Sequence, residues 1–206
     1  MAHSEFTKYD NEGINNTVNC LTNKVVRSTL SIIGNNNTVD IESNVRLNNC
    51  RIVIKGDDCC LRIYNNSTVK GALHITGNHS YIQIGKNTMF TSNHSTLSVQ
   101  EDNMSISIGN NCLVGDCLMR TSDSHSILDR TTGKRINFAK SIIIRDRVWI
   151  AQGVKILKGV IIEDEIVVGA SSLVVKSLEK SYSIYAGNPA KLIKENIIWD
   201  KNKLKE

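Results

Sequence analysis

Residues 144–179 read IRDRVW IAQGVK ILKGVI IEDEIV VGASSL VVKSLE, six consecutive hexads whose first residue is always Ile or Val: Ile144, Ile150, Ile156, Ile162, Val168 and Val174. The fifth residue of the first five hexads is Val148, Val154, Val160, Ile166 and Ser172. Neither slot carries a charge. A period of six matches neither the 3.6-residue helix nor the two-residue alternation of a free strand. It does match short strands joined by tight turns, three to a coil, with each strand sending one aliphatic side chain inward. The predicted fold is an all-β parallel β-helix of hexapeptide repeats.

The N-terminal half repeats the theme more loosely. IIGNNNTVDI from Ile32, IKGDDCCLRI from Ile54, ITGNHSYIQI from Ile75 and VQEDNMSISI from Val99 are spaced by 22, 21 and 24 residues. Each begins with an aliphatic, turns through Gly or Glu followed by Asp or Asn, and leaves with alternating apolar residues. A coil of three hexads needs 18 residues, so these units read as coils with three to six residues added at corners. The core is predicted to run without a break from about residue 13 to 178.

Composition agrees with a ladder of small aliphatics. Of 206 residues only 5% are aromatic, and Pro189 is the single proline. That length suits one domain. The net charge is +5, and most of the excess lies late in the chain: residues 1–139 hold 13 basic and 12 acidic groups, residues 140–206 hold 12 and 8. Such a mild surplus suits a phosphate-bearing small molecule. It lacks the dense basic stripe with interleaved aromatics that marks a nucleic-acid binder. No run is apolar enough to span a membrane, and the start MAHSEFTKYDNEG has no apolar signal core, so a cytoplasmic location is expected. The six cysteines form no CxxC pair and read as buried, reduced thiols, Cys112 and Cys117 among them.

The repeat fails once, between Leu118 and Ile142. A loop of this length on a compact solenoid is functional or disordered. It carries His125 among small polar residues, with Asp123, Ser124, Asp129, Arg130, Lys134 and Arg135 nearby. A histidine in a polar loop is commonly just a solvated group. Trp149 argues for more, because it occupies the outward sixth slot of its hexad and so marks a contact surface.

In order along the chain, the loop TSDSHSILDRTTGKRIN, then VWIAQGVKILKGVII, VGASSLVVKS and YAGNPAKLIKENIIW resemble the hexapeptide-repeat O-acetyltransferases, especially bacterial enzymes that act on capsular polysaccharides such as polysialic acid. The resemblance covers residues 100–200. It implies a left-handed β-helix over residues 1–189 with an inserted loop at 119–141, and a short C-terminal helix and tail over 190–206, where Leu192, Ile193 and Ile197 fall at helical spacing. It further implies a homotrimer with sites between subunits, acetyl-CoA as co-substrate, a carbohydrate acceptor, and no metal. By the same resemblance His125 is the general base and Trp149 belongs to the catalytic and coenzyme site. Ala151, Ala170, Lys176, Lys191 and Lys194 line the coenzyme channel or meet its phosphates. Asp123, Ser124 and Arg130 are placed on the acceptor side.

Competing readings are less well supported. His74, His79 and His94 offer imidazoles for a zinc carbonic anhydrase of this fold, but they recur in no ligand pattern. An ice-binding solenoid needs a flat array of repeated threonines, and the outward positions here vary. A small acceptor, such as an antibiotic hydroxyl or a nucleotide-linked amino sugar, remains the alternative to a polymer.

Overall fold

A computed structural model describes residues 6–202, so the outermost parts of the expected 1–189 and 190–206 segments, residues 1–5 and 203–206, lie outside the described residues. The chain winds as a three-sided prism of parallel strands. The first face stacks β1 (Lys8–Glu12), β4 (Thr29–Ile33), the second half of β6 (Arg46–Lys55), the second half of β8 (Thr68–Thr76), β11 (Thr96–Gln100), β14 (Cys117–Arg120), β17 (Val154–Ile156) and β20 (Leu173–Val174). On the second face lie β2 (Thr17–Cys20), β5 (Thr38–Ile41), β7 (Cys60–Ile63), β9 (Tyr81–Ile84), β12 (Ser105–Ile108), β15 (Ile142–Ile144) and β18 (Ile161–Ile162). The third carries β3 (Val25–Val26), the first halves of β6 and β8, then β10 (Met89–Phe90), β13 (Leu113–Val114), β16 (Trp149–Ile150), β19 (Ile166–Val168) and β21 (Ser183–Ala186).

Sequence spacing and stacking register coincide. Ile32, Ile54, Ile75 and Val99 are consecutive partners up the first face, at the offsets of 22, 21 and 24 that separate the repeats. In the tight C-terminal coils Ile144 pairs with Ile162, Ile150 with Val168 and Ile156 with Val174, each 18 residues on. All first-slot and fifth-slot residues of the six hexads are buried, including Ser172. The apolar cluster extends from Phe6 to Leu178.

Corners hold the coils in register. Between the first and second faces Asn35, Asp57, Asn78 and Asp102 stack: each side-chain oxygen accepts from the backbone N–H of the coil before it, at 2.7–3.0 Å. Short polar side chains suit these positions because they mimic a backbone acceptor while the next residue, Asn36, Asp58, His79 or Asn103, takes a left-handed conformation. A Cβ on Gly56 would sit 2.4 Å from the carbonyl oxygen of Gly77, so this corner cannot widen without breaking the stack. The thiols of Cys50, Cys112 and Cys117 are buried, and desolvation pushes each up to about 12. Every cysteine is free.

Among the described residues the expected C-terminal helix is absent. Residues Lys191–Lys194 form β22, an antiparallel strand against β21 that returns through the Gly187–Pro189 turn. Two facts explain the difference. Leu192 and Ile193 are exposed, so no apolar stripe has a core to face, and a short helix without tertiary packing does not offset its nucleation cost. The open edge of β21, in contrast, offers ready ladder partners. Among the described residues no helix is long and apolar enough to cross a membrane.

Replacing Gly56, whose φ is +149°, with alanine is expected to lower stability by about 3 kcal/mol, while Gly133→Ala, on the loop with open space around it, costs about 1 kcal/mol. Chemical denaturation of the two variants side by side checks this; equal losses would contradict the stacked-corner description.

Candidate active site

The break in the repeat falls on the corner between the first and second faces. Met119 and Arg120 still belong to β14, with Met119 fully buried, so the excursion spans residues 121–141 and not 119–141. It is tied down at both ends. Lys140 N–H donates to Thr121 O at 2.9 Å, and the loop closes on itself as a small hairpin with a bridge between Leu128 and Arg135. The bolt is Arg135, whose guanidinium donates to both oxygens of Glu101 at 2.8 and 2.6 Å, with Ser122 Oγ donating to the same carboxylate at 2.6 Å. Bidentate Arg–carboxylate pairing fixes direction as well as distance. These contacts, Arg135 first, hold Glu101 down to about 2. A second clamp joins Asp123 to Lys158 on the next coil and to Asn137 Nδ2, which also donates to His125 O at 2.8 Å. Asp123 is thereby held below the usual carboxylate range, chiefly by Lys158.

His125 itself is exposed, its main chain fixed through Asn137 and its ring without a hydrogen-bond or ion-pair partner among the described residues. Neither nearby carboxylate reaches that ring: Asp123 is committed to Lys158, and Asp129 caps the turn at Thr131 and Thr132. Ser124 adopts φ +66° and bonds to Arg120 and Gln100. Arg130 is exposed and makes no hydrogen bond or ion pair among the described residues. Around the histidine the loop presents Ile127, Leu128, Ile136 and Phe138 to solvent.

Trp149 lies on the third face, with 37% of its surface exposed. Its outer side packs on Trp199, ring centroids 6.0 Å apart. The indole N–H of Trp199 donates to Arg147 O at 2.7 Å, and the Arg147 guanidinium covers the Trp199 ring at 5.5 Å. Beside Trp149 opens a cleft of about 560 Å³ lined by Thr91, His94, Leu113, Gly115, Ala151 and Gln152 among others. Its floor is a stack of small residues. Gly115 sits over Ala151, and a Cβ there would meet the Ala151 carbonyl carbon at 2.9 Å; Gly169 continues the stack against Ala186. Ala170 follows Gly169 at the same corner of the prism, between the third and first faces. Lys176 occupies the first-to-second corner of the last coil, while Lys191 and Lys194 are exposed on β22. A long thin ligand can lie along the small-residue corner close to the backbone.

His74, on the first face, His79, on the first-to-second corner, and His94, on the third-to-first corner, occupy three different parts of the prism. Burial and the cations Arg51 and Lys55 lower His74.

No family model matches the chain. A polysialic acid O-acetyltransferase of Neisseria meningitidis is 35% identical over 193 residues, covering 93% of this chain and 88% of that protein. The chain belongs to the hexapeptide-repeat O-acetyltransferase family. Two solved structures agree over nearly the whole fold. The polySia-specific acetyltransferase NeuO superposes with a TM-score of 0.87 at 34% identity, covering 98% of this chain and 84% of that one. The polysialic acid O-acetyltransferase OatWY gives 0.83 at 33% identity, covering 95% and 92%. The left-handed β-helix of this family is thus the fold of this acetyltransferase.

The geometry separates two residues that sequence reading placed in one site. The loop of His125 leaves the corner between faces one and two, and Trp149 lies on face three, directly across the prism; His125 does not line the Trp149 cleft. Sequence reading named Arg135 without giving it a role, and it missed Glu101, Asn137, Lys158 and Trp199. One of them left a signal: Glu101 stands where the other N-terminal repeats have glycine, with φ +71°. A glutamate in a left-handed turn needs a reason, and its grip on Arg135 supplies one.

Replacing Glu101 with glutamine keeps the shape and removes the charge. This acetyltransferase should then show faster amide exchange at residues 122–137 and little change in melting temperature, because the loop is anchored outside the core. Glu101 has a depressed folded value, so its contribution is present above the ordinary glutamate value near 4.5 and is lost as pH falls toward about 2. Wild-type loop protection is therefore expected to persist at pH 5 and fade only across that lower window. Hydrogen exchange across the window is the check; a loop already released at pH 5 would contradict the assignment.

Proposed function

We propose that the protein transfers the acetyl group of acetyl-CoA directly to a hydroxyl of a bacterial surface polysaccharide, capsular and containing sialic acid, in sites shared between neighbours of a homotrimer. The observation that carries this reading is the single break in the repeat. It delivers one histidine, His125, on a loop fastened at its base and open at its ring, in a chain similar over nine-tenths of its length to a polysialic acid O-acetyltransferase. A loop held at two clamps has little entropy left to lose when the acceptor arrives.

The chemistry follows from the residue. A sugar hydroxyl is a weak nucleophile, and the imidazole of His125 takes its proton as the oxygen attacks the thioester carbonyl. The tetrahedral oxyanion is met by a backbone N–H beside the channel and collapses with loss of the coenzyme thiolate, to which the imidazolium returns the proton. No acyl-enzyme is needed. Cys112 and Cys117 are buried thiols pushed up to about 12, which fits packing and not nucleophilic attack.

Trp149 flanks the reacting thioester, and the small-residue corner at Ala151 and Ala170 lets the pantetheine arm run close to the backbone. Lys176, Lys191 and Lys194 meet the coenzyme phosphates as point charges. On the acceptor side Ser124 and Ser126 leave room for a sugar ring, Asp123 offers a fixed carboxylate, and Arg130 is a cation without an ion-pair partner among the described residues. Two features support the shared site: His125 and Trp149 lie across the prism from one another, and the apolar rim of Ile127, Leu128, Ile136 and Phe138 suits burial against another subunit. Six free thiols and a dependence on acetyl-CoA fit a cytoplasmic location.

His125→Ala is expected to lower turnover on polysialic acid by about 100-fold or more, leaving coenzyme binding and trimer assembly intact. Acetyl-CoA consumption across polysaccharides, sialosides and small hydroxylated antibiotics, with light scattering on the same preparation, reads all three quantities. An alanine variant that keeps more than about a third of wild-type turnover would remove the histidine from the mechanism.

A further inference from the structure

The third face is unevenly charged, and the unevenness is aligned with the Trp149 cleft. Stacking places Arg46, Thr68, Met89, Leu113 and Trp149 in one outward column, each paired with the next. Lys24 precedes Val25, which pairs with Leu47, and so stands over Arg46. Lys70 follows Val69 in the adjacent column and reaches Thr91 O at 3.5 Å. Three cations thus gather on the coils at the N-terminal end of the face. Neither Lys24 nor Arg46 has a hydrogen bond or ion pair from its side chain among the described residues, and Lys70 has only that long contact to a carbonyl.

Some cations elsewhere are paired, while Arg51, Lys55 and Lys155 on the first face have no ion pair among the described residues. On the other faces and the corners Arg62 pairs with Asp40, Arg135 with Glu101, Arg147 with Glu165 and Lys158 with Asp123. The groove of about 630 Å³ that the three cations line holds no carboxylate at all; its other walls are Asn, Thr, Met and Phe. It meets the Trp149 cleft at Thr91, which lines both. From Lys24 to Trp149 the two clefts cover five coil steps, or about 24 Å at the usual strand spacing of about 4.8 Å.

We propose that this groove is an extended acceptor subsite, a rail on which Lys24, Arg46 and Lys70 hold the carboxylates of an anionic polysaccharide several sugar units away from the hydroxyl being acetylated. The proposal deepens the acceptor reading and rests on it for the identity of the polymer. Two exposed cations, Lys24 and Arg46, in one column and the half-buried Lys70 in the next, on successive coils of a rigid sheet, match a chain that repeats one negative charge per sugar. Neutral Asn and Thr between them can bond hydroxyls without repelling carboxylates. Charge at such a distance acts on capture and not on the chemical step, so it belongs in KM for long acceptors and leaves kcat alone.

The test uses full-length protein and two fluorescent probes of matched length, polysialic acid and neutral dextran, with binding read by anisotropy. Wild type is expected to bind polysialic acid more weakly as salt rises, and to ignore dextran. The variant Lys24→Gln/Arg46→Gln/Lys70→Gln is expected to lose about tenfold in affinity at low ionic strength. The control Arg51→Gln/Lys55→Gln/Lys155→Gln strips the same charge from the first face and should lose less than about twofold. In turnover assays the first variant should raise KM for long polysialic acid and leave kcat, KM for short sialosides and KM for acetyl-CoA unchanged. Equal losses in the two variants, undiminished binding by the first, or no polysialic acid binding by wild type would each overturn the rail. If wild type binds polysialic acid through these cations and yet acetylates no sialoside, the rail stands and the acceptor reading falls.

Discussion

Each coil of this protein satisfies its backbone hydrogen bonds only through the coils above and below it. Buried N–H and C=O groups cannot be left unpaired, so every strand must return to its face at the right level whatever happens in between. That constraint explains how the spacing can drift from 21 to 24 residues in the N-terminal coils, tighten to 18 at the C-terminal end, and still give continuous ladders. Extra residues are accepted only at corners, where Asn and Asp side chains stand in for backbone acceptors.

The loop that carries His125 is the largest such addition. Leu118 pairs directly with Lys155 and Ile106 with Ile142, so the sheets on either side continue as though residues 121–141 were not there. The loop inherits the same corner used by the Gly–Asn turns of earlier coils, and it borrows its anchor from the last of them, Glu101. Surface ion pairs are individually weak. Here a bidentate pair, a hydroxyl and a second carboxylate–lysine clamp act on one short segment, which orders it without burying much apolar surface. The consequence is a histidine whose backbone is fixed and whose ring is available.

Much of this was legible in the sequence, and what was not has a physical reason. Hexad slots report burial directly, which is why Ile144 through Val174 and the offsets of Ile32, Ile54, Ile75 and Val99 translated into register without change. The outward slot of Trp149 was equally plain. The C-terminal segment misled because Leu192, Ile193 and Ile197 have helical spacing but no core to face, and spacing alone does not reveal which apolar residues will be covered. Trp199 could not be read at all: its partners Arg147 and Trp149 are some fifty residues away, and only the path of the chain after β22 brings them together. The separation of His125 from Trp149 was hidden for a related reason, since residues 24 apart in sequence lie on a corner and on the face opposite it.

That separation makes subunit sharing the decisive question. If His125 of one chain serves the Trp149 cleft of its neighbour, two inactive chains can repair each other. Co-assembling His125→Ala chains with Trp149→Ala chains and measuring acetyl transfer on purified mixed trimers tests this directly. A shared site predicts activity rising from near zero in either homotrimer to about a quarter of wild type with random mixing, because one interface in four then joins an intact histidine to an intact tryptophan. Mixed trimers as inactive as their parents would show that each chain carries its own complete site.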